Sequence, residues 1–222
     1  DFCLSRGLGD VYKRQNYPNW PRAGKRMSEE EYHELETLSP DRKYEYIDGR
    51  AYMMSGGSVA HDLIGFNMRV LLAQALRTDL VGLLADVQVL VGVRKNGTPH
   101  YVYPDTTVSC NPTDSHLDNT LIESPQVVVE VISPGTEAKD RGIKFKLYQQ
   151  RPTLQEIVLV SQFAQHVEIW QRNEQEPDNP KAWLYRHYEA GDTIDLISIG
   201  VSISMDDLYQ NLHFIENELE DE

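Results

Sequence analysis

The chain has 222 residues, of which 25% are charged and 40% hydrophobic, and its formal net charge is −14. This length is enough for one full hydrophobic core, and the composition is that of an ordinary globular protein. The acidic charge argues against indiscriminate nucleic-acid binding through a basic surface, two cysteines are too few for a disulfide framework, and no apolar run is long enough for a transmembrane helix. We therefore expect a cytoplasmic protein that does not enter a membrane.

The chain divides into three segments. Residues 1–15 show no helical or strand periodicity and begin without Met, so we interpret them as a non-native tail. Residues 16–212 contain no internal repeat and no linker, which predicts a single domain. Residues 213–222 form an acidic tail.

The first elements of the domain have clear local signals. Ser28 and Glu31 have the spacing of a capping box, which predicts a short helix to about Leu38. Lys43–Met54 alternates around Asp48-Gly49, which predicts a hairpin. Glu45 lies in this alternation, where it is either an inward acid that a metal site could satisfy or a surface strand acid.

A long helix is predicted to begin at His61. His61 could orient a substrate or a carboxylate, or it could be a cap or surface residue. Apolar residues at helical spacing predict a core-facing stripe over about four turns: Ile64, Met68, Leu71, Leu72, Ala75 and Leu76.

The next segment predicts two strands and a loop. Leu83–Val91 and Tyr101–Cys110 are predicted strands on either side of a turn at Lys95-Asn96-Gly97. Pro104 cannot donate a ladder hydrogen bond, so Asp105 is expected where the second strand is distorted; a plain turn acid is the alternative. The polar loop Asn111–Ser124 is either a substrate-side flap or a mobile segment.

The run Gln126–Ile132 is β-branched and of strand length, which predicts a central strand covered on both faces. A carboxylate in such a strand is costly to bury unless it is paired or bound to a metal. Glu130 is therefore either a metal ligand or half of a structural salt bridge.

A basic helix is predicted to follow, capped by Thr136 or Asp140. Ile143, Leu147 and Gln150 are expected on one stripe of this helix, and Lys144 with Tyr148, one turn apart, on another. Lys144 is either a site residue or a solvated lysine with Asp140 one turn earlier.

Together, Asp105, Glu130 and Lys144 would suit phosphodiester hydrolysis. Two carboxylates could bind Mg²⁺ or Mn²⁺, which prefer hard oxygen ligands, and a lysine could steady an attacking water or a phosphate oxygen.

The rest of the chain predicts further strands. Glu156–Ser161 and His166–Gln171 are expected to extend the sheet, Trp183–Tyr188 is expected to pair with Thr193–Ile199, and Met205–Gln210 is a predicted short helix. The predicted fold is α/β, a mixed central sheet with the helix from His61 on one side and the helix from Asp140 on the other.

Several short motifs resemble a known family. They extend upstream to Met27–Tyr32 and Tyr44–Gly49 and downstream to Leu196–Val201, and their centre is Pro104-Asp105, Glu130-Val131-Ile132-Ser133-Pro134, Thr136, Asp140, Lys144 and Tyr148. This combination resembles the putative restriction endonuclease (Uma) family of the PD-(D/E)xK nuclease superfamily, over roughly Met27 to Leu212.

The resemblance implies a restriction-endonuclease-like fold and a metal-dependent DNA endonuclease. It implies that Asp105 and Glu130 hold the ion and that Glu45 is a further acid at the site. One departure is Ile132, which stands where the superfamily has the E-x-K lysine; the resemblance makes Lys144 its substitute.

Other functions stay open at this stage. A nuclease fold that binds or regulates without cutting is the main alternative, and a hydrolase of small phosphate esters is weaker because no Gly-rich phosphate loop is present. A homodimer is also left open, since nucleases that cut both strands are often symmetric dimers.

Overall fold

The computed structural model describes residues 24–54, 56–76, 82–84, 87–116, 118–176, 179 and 182–214. The predicted tail 1–15 lies outside these residues, as does 215–222 of the acidic tail. Two compact units are present: the first comprises the described residues up to Met54 together with Arg94–His100, and the second comprises the remainder. The expected single-domain boundaries stay a prediction.

The first unit is a small antiparallel sheet with one helix. Its strand order is β1, β3, β2. The elements that begin in it are β1 (Lys25–Arg26), α1 (Glu29–Leu38), β2 (Tyr44–Ile47), β3 (Arg50–Met53) and β6 (Pro99–Val102, which continues into the second unit).

Local signals placed these elements correctly. Ser28 Oγ accepts from Glu31 N at 3.2 Å and Glu31 Oε2 accepts from Ser28 N at 2.7 Å, so the predicted capping box is present. Asp48 and Gly49 both have positive φ in the predicted hairpin turn. Tyr32 stacks on Tyr46 at 4.8 Å between ring centroids and anchors the core of this unit.

The second unit contains a six-stranded mixed sheet in the order β12, β11, β10, β9, β7, β4. A separate antiparallel pair is formed by β13 and β14, and β5 pairs in parallel with β8. The strands are β4 (Gly82–Leu84), β5 (Gln88–Val93), β7 (Thr106–Ser109), β8 (Leu121–Ile122), β9 (Pro125–Ile132), β10 (Glu156–Ser161), β11 (His166–Arg172), β12 (Trp183–Glu189), β13 (Thr193–Leu196) and β14 (Val201–Ser204).

The helical segments of this unit lie between the strands. They are α2 (Val59–Leu76), a 3-10 turn (Pro112–Ser115), α3 (Glu137–Lys139), a π-helical turn (Asp140–Lys144), α4 (Phe145–Gln150), a second 3-10 turn (Ile197–Ile199) and α5 (Met205–Leu208). No helix in the described parts of the chain is long and apolar enough to cross a membrane.

The predicted central strand is confirmed. β9 runs parallel to β10 and antiparallel to β7, and every residue from Val127 to Ile132 is buried. Alternate residues of β9 point to opposite faces. Val127, Val129 and Val131 join the core that includes Ile64, Met68 and Leu72 of α2.

Glu130 points to the other face of the sheet, toward Lys144 and Tyr148 of the segment after β9. The sheet therefore has α2 on one side and the segment 137–150 on the other. The predicted α/β architecture is confirmed.

One local prediction is wrong. Trp183–Tyr188 does not pair with Thr193–Ile199: β12 pairs with β11, and β13 pairs with β14. The turn at Gly191 leads out of the large sheet and into the separate two-stranded one, a nonlocal choice that alternation alone does not encode.

The two predicted stripes of the basic helix differ in burial. On the first, Leu147 is buried, whereas Ile143 is 41% exposed and Gln150 is exposed. On the second, Lys144 and Tyr148 are buried, as is Asp140 one turn earlier. The segment is not a regular α-helix throughout, because Phe145 N bonds to Asp140 O, five residues away.

Candidate functional site

Asp105 lies at a break between two strands. β6 ends at Val102 and β7 begins at Thr106, so Pro104 interrupts the predicted strand as expected. The carboxylate oxygen Oδ2 accepts a hydrogen bond from Val131 N at 2.7 Å, across to β9. Thr106, the next residue, pairs with Val129, so Asp105 lies next to the part of β9 that carries Glu130.

His61 contacts the same carboxylate from the first turn of α2. Its Nε2 lies 3.3 Å from Asp105 Oδ2, and its backbone N–H donates to Ser58 Oγ at 3.1 Å. The hydrogen bond to Asp105 raises the pKa of His61, although burial opposes the shift. Of the roles left open by the sequence, the geometry supports orientation of a carboxylate.

A glycine makes room for this imidazole. A Cβ atom at Gly57 would lie 2.9 Å from His61 Nδ1 and 3.0 Å from Asp62 Oδ1, closer than side chains pack. The chain before α2 can therefore pass against His61 because no side chain is present at this position.

Glu130 is buried, with 2% of its surface exposed, and it meets two side chains of the segment after β9. Lys144 Nζ lies 2.6 Å from Glu130 Oε1, and the Tyr148 hydroxyl donates to the same oxygen. A buried carboxylate needs such partners, because an isolated one would be strongly destabilising.

Lys144 also contacts a second carboxylate. Asp140 Oδ1 lies 3.1 Å from Lys144 Nζ, and both side chains are buried. The ammonium is therefore held between an acid of the sheet, Glu130, and an acid of its own segment, Asp140. The interpretation of Lys144 as a solvated lysine is wrong.

Asp140 and Tyr148 extend the predicted site. Their spacing of four residues on either side of Lys144, after a strand with a buried acid, was the available signal. Both residues are among the motifs that carry the family resemblance, but helical spacing alone does not show that their side of the segment is the buried one.

Glu45 lies elsewhere in the chain. It is a buried residue of β2 in the first compact unit, so the prediction of a surface strand acid is wrong. Its participation in a metal site stays a prediction. Ile132, which stands where the superfamily lysine would be, is a buried apolar residue at the end of β9.

The donor atoms near Glu130 suit one type of cation binding and not another. Asp105 is hydrogen-bonded to the backbone of Val131, the residue after Glu130. Mg²⁺ commonly binds through one or two carboxylates, with waters and substrate phosphates completing its shell. Over the described residues, no group of three or more His, Cys, Asp and Glu side chains is arranged to hold a metal ion. These residues therefore fit Mg²⁺ shared with solvent and substrate rather than a cage made by the protein alone.

Comparison with known proteins identifies a family and related sequences. The family model described as Uma2, putative restriction endonuclease, matches residues 29–206. The uncharacterized protein slr1290 of Synechocystis sp. is 36% identical over 190 residues, which cover 85% of this chain and 94% of that protein. The uncharacterized protein sll1609 of the same organism is 27% identical over 132 residues, 59% of this chain and 72% of that protein.

One solved structure shares the fold. The crystal structure of a putative nuclease belonging to DUF820 from Anabaena variabilis superposes with a TM-score of 0.59 and 14% sequence identity. The superposition covers 76% of this chain and 90% of that one.

Proposed function

We propose that this chain, which belongs to the Uma2 family of putative restriction endonucleases, is a magnesium-dependent endonuclease that hydrolyses phosphodiester bonds in DNA. The observation that carries the proposal is the buried Glu130 carboxylate with the Lys144 ammonium 2.6 Å from it, on the strand whose Val131 N–H binds Asp105. Family membership supplies the substrate class, and the side-chain chemistry supplies the mechanism.

Asp105 and Glu130 would hold Mg²⁺, or Mn²⁺ in its place, and Glu45 would be the further acid that the family resemblance implies. The bound ion would supply Lewis acidity and lower the pKa of an attacking water. His61 orients Asp105 through its contact with Oδ2. Lys144 stands in for the lysine absent at position 132, and its ammonium would stabilise charge that develops on the phosphate.

The charge of the chain restricts how DNA could bind. At −14 the protein repels a polyanion at long range, so contact with DNA must be local and assisted by the cation. This predicts weak binding without a divalent cation and strong dependence on it. We place this activity in the cytoplasm. A homodimer would allow both strands to be cut.

A second candidate is a nuclease fold that binds nucleic acid without cutting it. Two observations favour it: Ile132 replaces the usual lysine, and Glu130 is already engaged by Lys144 and Tyr148. The two candidates differ in whether Glu130 can accept a cation.

Plasmid cleavage combined with metal titration separates the two candidates. The full chain is incubated with supercoiled plasmid and with single-stranded DNA, in Mg²⁺ or Mn²⁺, beside Glu130→Gln and Asp105→Asn; Asp118→Asn, an exposed acid of the loop after β7, is the control. We expect cleavage by the parent and by the control, and a loss of about 100-fold or more in the two site variants.

Calorimetric titration with Mg²⁺ gives a readout independent of cleavage. Binding by the parent that is lost in Glu130→Gln supports the metal site. Absence of both cleavage and metal binding in the parent would contradict the proposal and favour the binding module.

A further inference from the structure

The Lys144 ammonium has two buried counter-ions that differ in one respect. Glu130 belongs to the central strand β9 and would be a metal ligand under the proposed function. Asp140 belongs to the same π turn as Lys144, four residues earlier, and its Oδ1 lies 3.1 Å from Nζ. When a divalent cation binds, Glu130 would therefore contact the cation, whereas Asp140 would stay paired with Lys144.

A buried ammonium that loses its counter-ion is strongly destabilised. If Glu130 were the sole acid at Lys144, engaging Glu130 with a divalent cation would leave two positive charges facing each other in a buried site. The ammonium would then move away or the cation would bind weakly. Asp140 removes this conflict because it stays beside Lys144.

We propose that the Lys144 ammonium occupies the place of the metal at Glu130 in the metal-free protein. Asp140 is then a positioning residue that keeps Lys144 at the site when Glu130 binds the metal. This inference rests on the proposed function. It assigns Asp140 a role that acts through Lys144.

The spacing of the two residues makes this arrangement. Asp140 and Lys144 are four residues apart and share the buried side of the segment, while Ile143 faces solvent. The π turn that contains both residues is a kind of helix irregularity that is frequent at functional sites.

The formal charges of these groups predict the direction in which each substitution changes metal affinity. Asp105, Glu130 and Asp140 contribute −3 and Lys144 contributes +1, so the four groups carry −2, which one Mg²⁺ neutralises. Removing the charge of Asp140 leaves −1 before the metal binds, and removing that of Lys144 leaves −3. The two substitutions should therefore change metal affinity in opposite directions.

The test is calorimetric titration of the full chain with Mg²⁺, and with Mn²⁺ as a second probe. We expect Asp140→Asn to weaken binding about tenfold and Lys144→Met to tighten it about tenfold, because buried charges a few ångströms apart interact strongly. Asp140→Glu should restore the affinity. Glu137→Gln is the matched control, since Glu137 lies on the same segment but pairs with Arg141 on the exposed side.

A merely structural role for Asp140 would not give opposite signs, because two destabilising substitutions would both weaken binding. Lys144→Met remains informative by itself should Asp140→Asn fail to fold. Shifts in the same direction, or no shift in either variant, would overturn the inference while parental metal binding still supports the proposed function. No metal binding by the parent would overturn both.

Cleavage at saturating Mg²⁺ adds a kinetic readout. Once the metal site is filled, Asp140→Asn should lower kcat and leave KM nearly unchanged, because the variant affects the position of Lys144 rather than DNA binding. Equal losses in Asp140→Asn and in the Glu137→Gln control would contradict the positioning role.

Discussion

Glu130 and Glu156 lie on the neighbouring parallel strands β9 and β10, and both are buried, yet their surroundings differ. Glu130 meets a lysine ammonium and a tyrosine hydroxyl, which are carried by a helical segment. Glu156 accepts its shorter hydrogen bonds from Ile197 N at 3.0 Å, Ser198 N at 3.2 Å and Ser198 Oγ at 2.6 Å, and the Arg186 guanidinium lies farther away, at 3.4 Å.

The difference teaches how to separate a candidate site from a structural acid. Backbone N–H groups cannot leave their carboxylate without unfolding the turn, so Glu156 fixes the 3-10 turn Ile197–Ile199 to the sheet. An ammonium on a flexible side chain can move or exchange with another cation. Burial of a carboxylate is common to both residues, and the kind of partner distinguishes them.

The largest difference is expected when each of these two glutamates is replaced by glutamine. Glu156→Gln should lower the free energy of unfolding by about 3 kcal/mol, because an amide NH2 would face donors that have lost their acceptor. Glu130→Gln should cost about 1 kcal/mol, since Lys144 keeps Asp140 as counter-ion. Urea unfolding followed by circular dichroism measures both values.

Glu189→Gln, an exposed acid on β12, serves as the control for this pair and should change stability little. If Glu130→Gln proved as destabilising as Glu156→Gln, the partners would not distinguish the two acids, and Glu130 would be structural as well.

Asp114 extends the comparison to a third buried acid. It accepts hydrogen bonds from Ser109 Oγ at 2.6 Å, from Glu123 N at 3.1 Å and from Ser124 N at 3.0 Å. Like Glu156, it is held by backbone donors. In the described part of the loop 111–124, this carboxylate fastens both ends to the strands.

Asp114→Ala should therefore destabilise the protein by about 2 kcal/mol, because two backbone N–H groups and a hydroxyl lose their acceptor. Asp118→Ala, in the same loop but exposed, is the matched control and should have almost no effect. Equal stability of the two variants, measured by urea unfolding, would show that the loop is not fastened by Asp114.

Much of this arrangement could be predicted from local signals. The β-branched run around Glu130 identified the central strand, Pro104 identified the break at Asp105, and the capping box at Ser28 fixed the start of α1. Each depends on a few adjacent residues whose physical preferences are strong. The placement of helices on both faces of the sheet followed from these elements and from chain order.

The errors arose where distant residues decide. The structural role of Glu156 is not visible in the sequence, because its donors at Ile197 and Ser198 are about forty residues away. The exchange of partners between β12 and β13 is likewise nonlocal. The buried side of the segment after β9 is also set by contact with Glu130 on the sheet, which helical spacing alone does not show.

The smallest expected effect is at His100 in the first compact unit, where a backbone donor also holds a buried side chain. Its Nδ1 accepts a hydrogen bond from the backbone N–H of Asp48 at 3.1 Å, and burial lowers the pKa of the imidazole. The unfolded chain therefore binds a proton more readily than the folded one. The stabilisation by His100 is complete above the ordinary histidine pKa of about 6.5 and is lost as the pH falls through the lower pKa of the folded state.

Hydrogen exchange at the Asp48 amide should report this loss directly, because protonated Nδ1 can no longer accept the bond. Between pH 7 and pH 5 we expect the protection of this amide to decrease by the equivalent of on the order of 1 kcal/mol, after correction for the intrinsic effect of pH. His100→Gln should remove the pH dependence, and His33→Gln, an exposed histidine of α1, should retain it. His61 shifts in the opposite sense, since its raised pKa makes its contribution decline as the pH rises. If the protection of the Asp48 amide still decreases in His100→Gln, another group controls the turn. A hydrogen bond from a backbone donor would then not be enough to show that a side chain has a structural role.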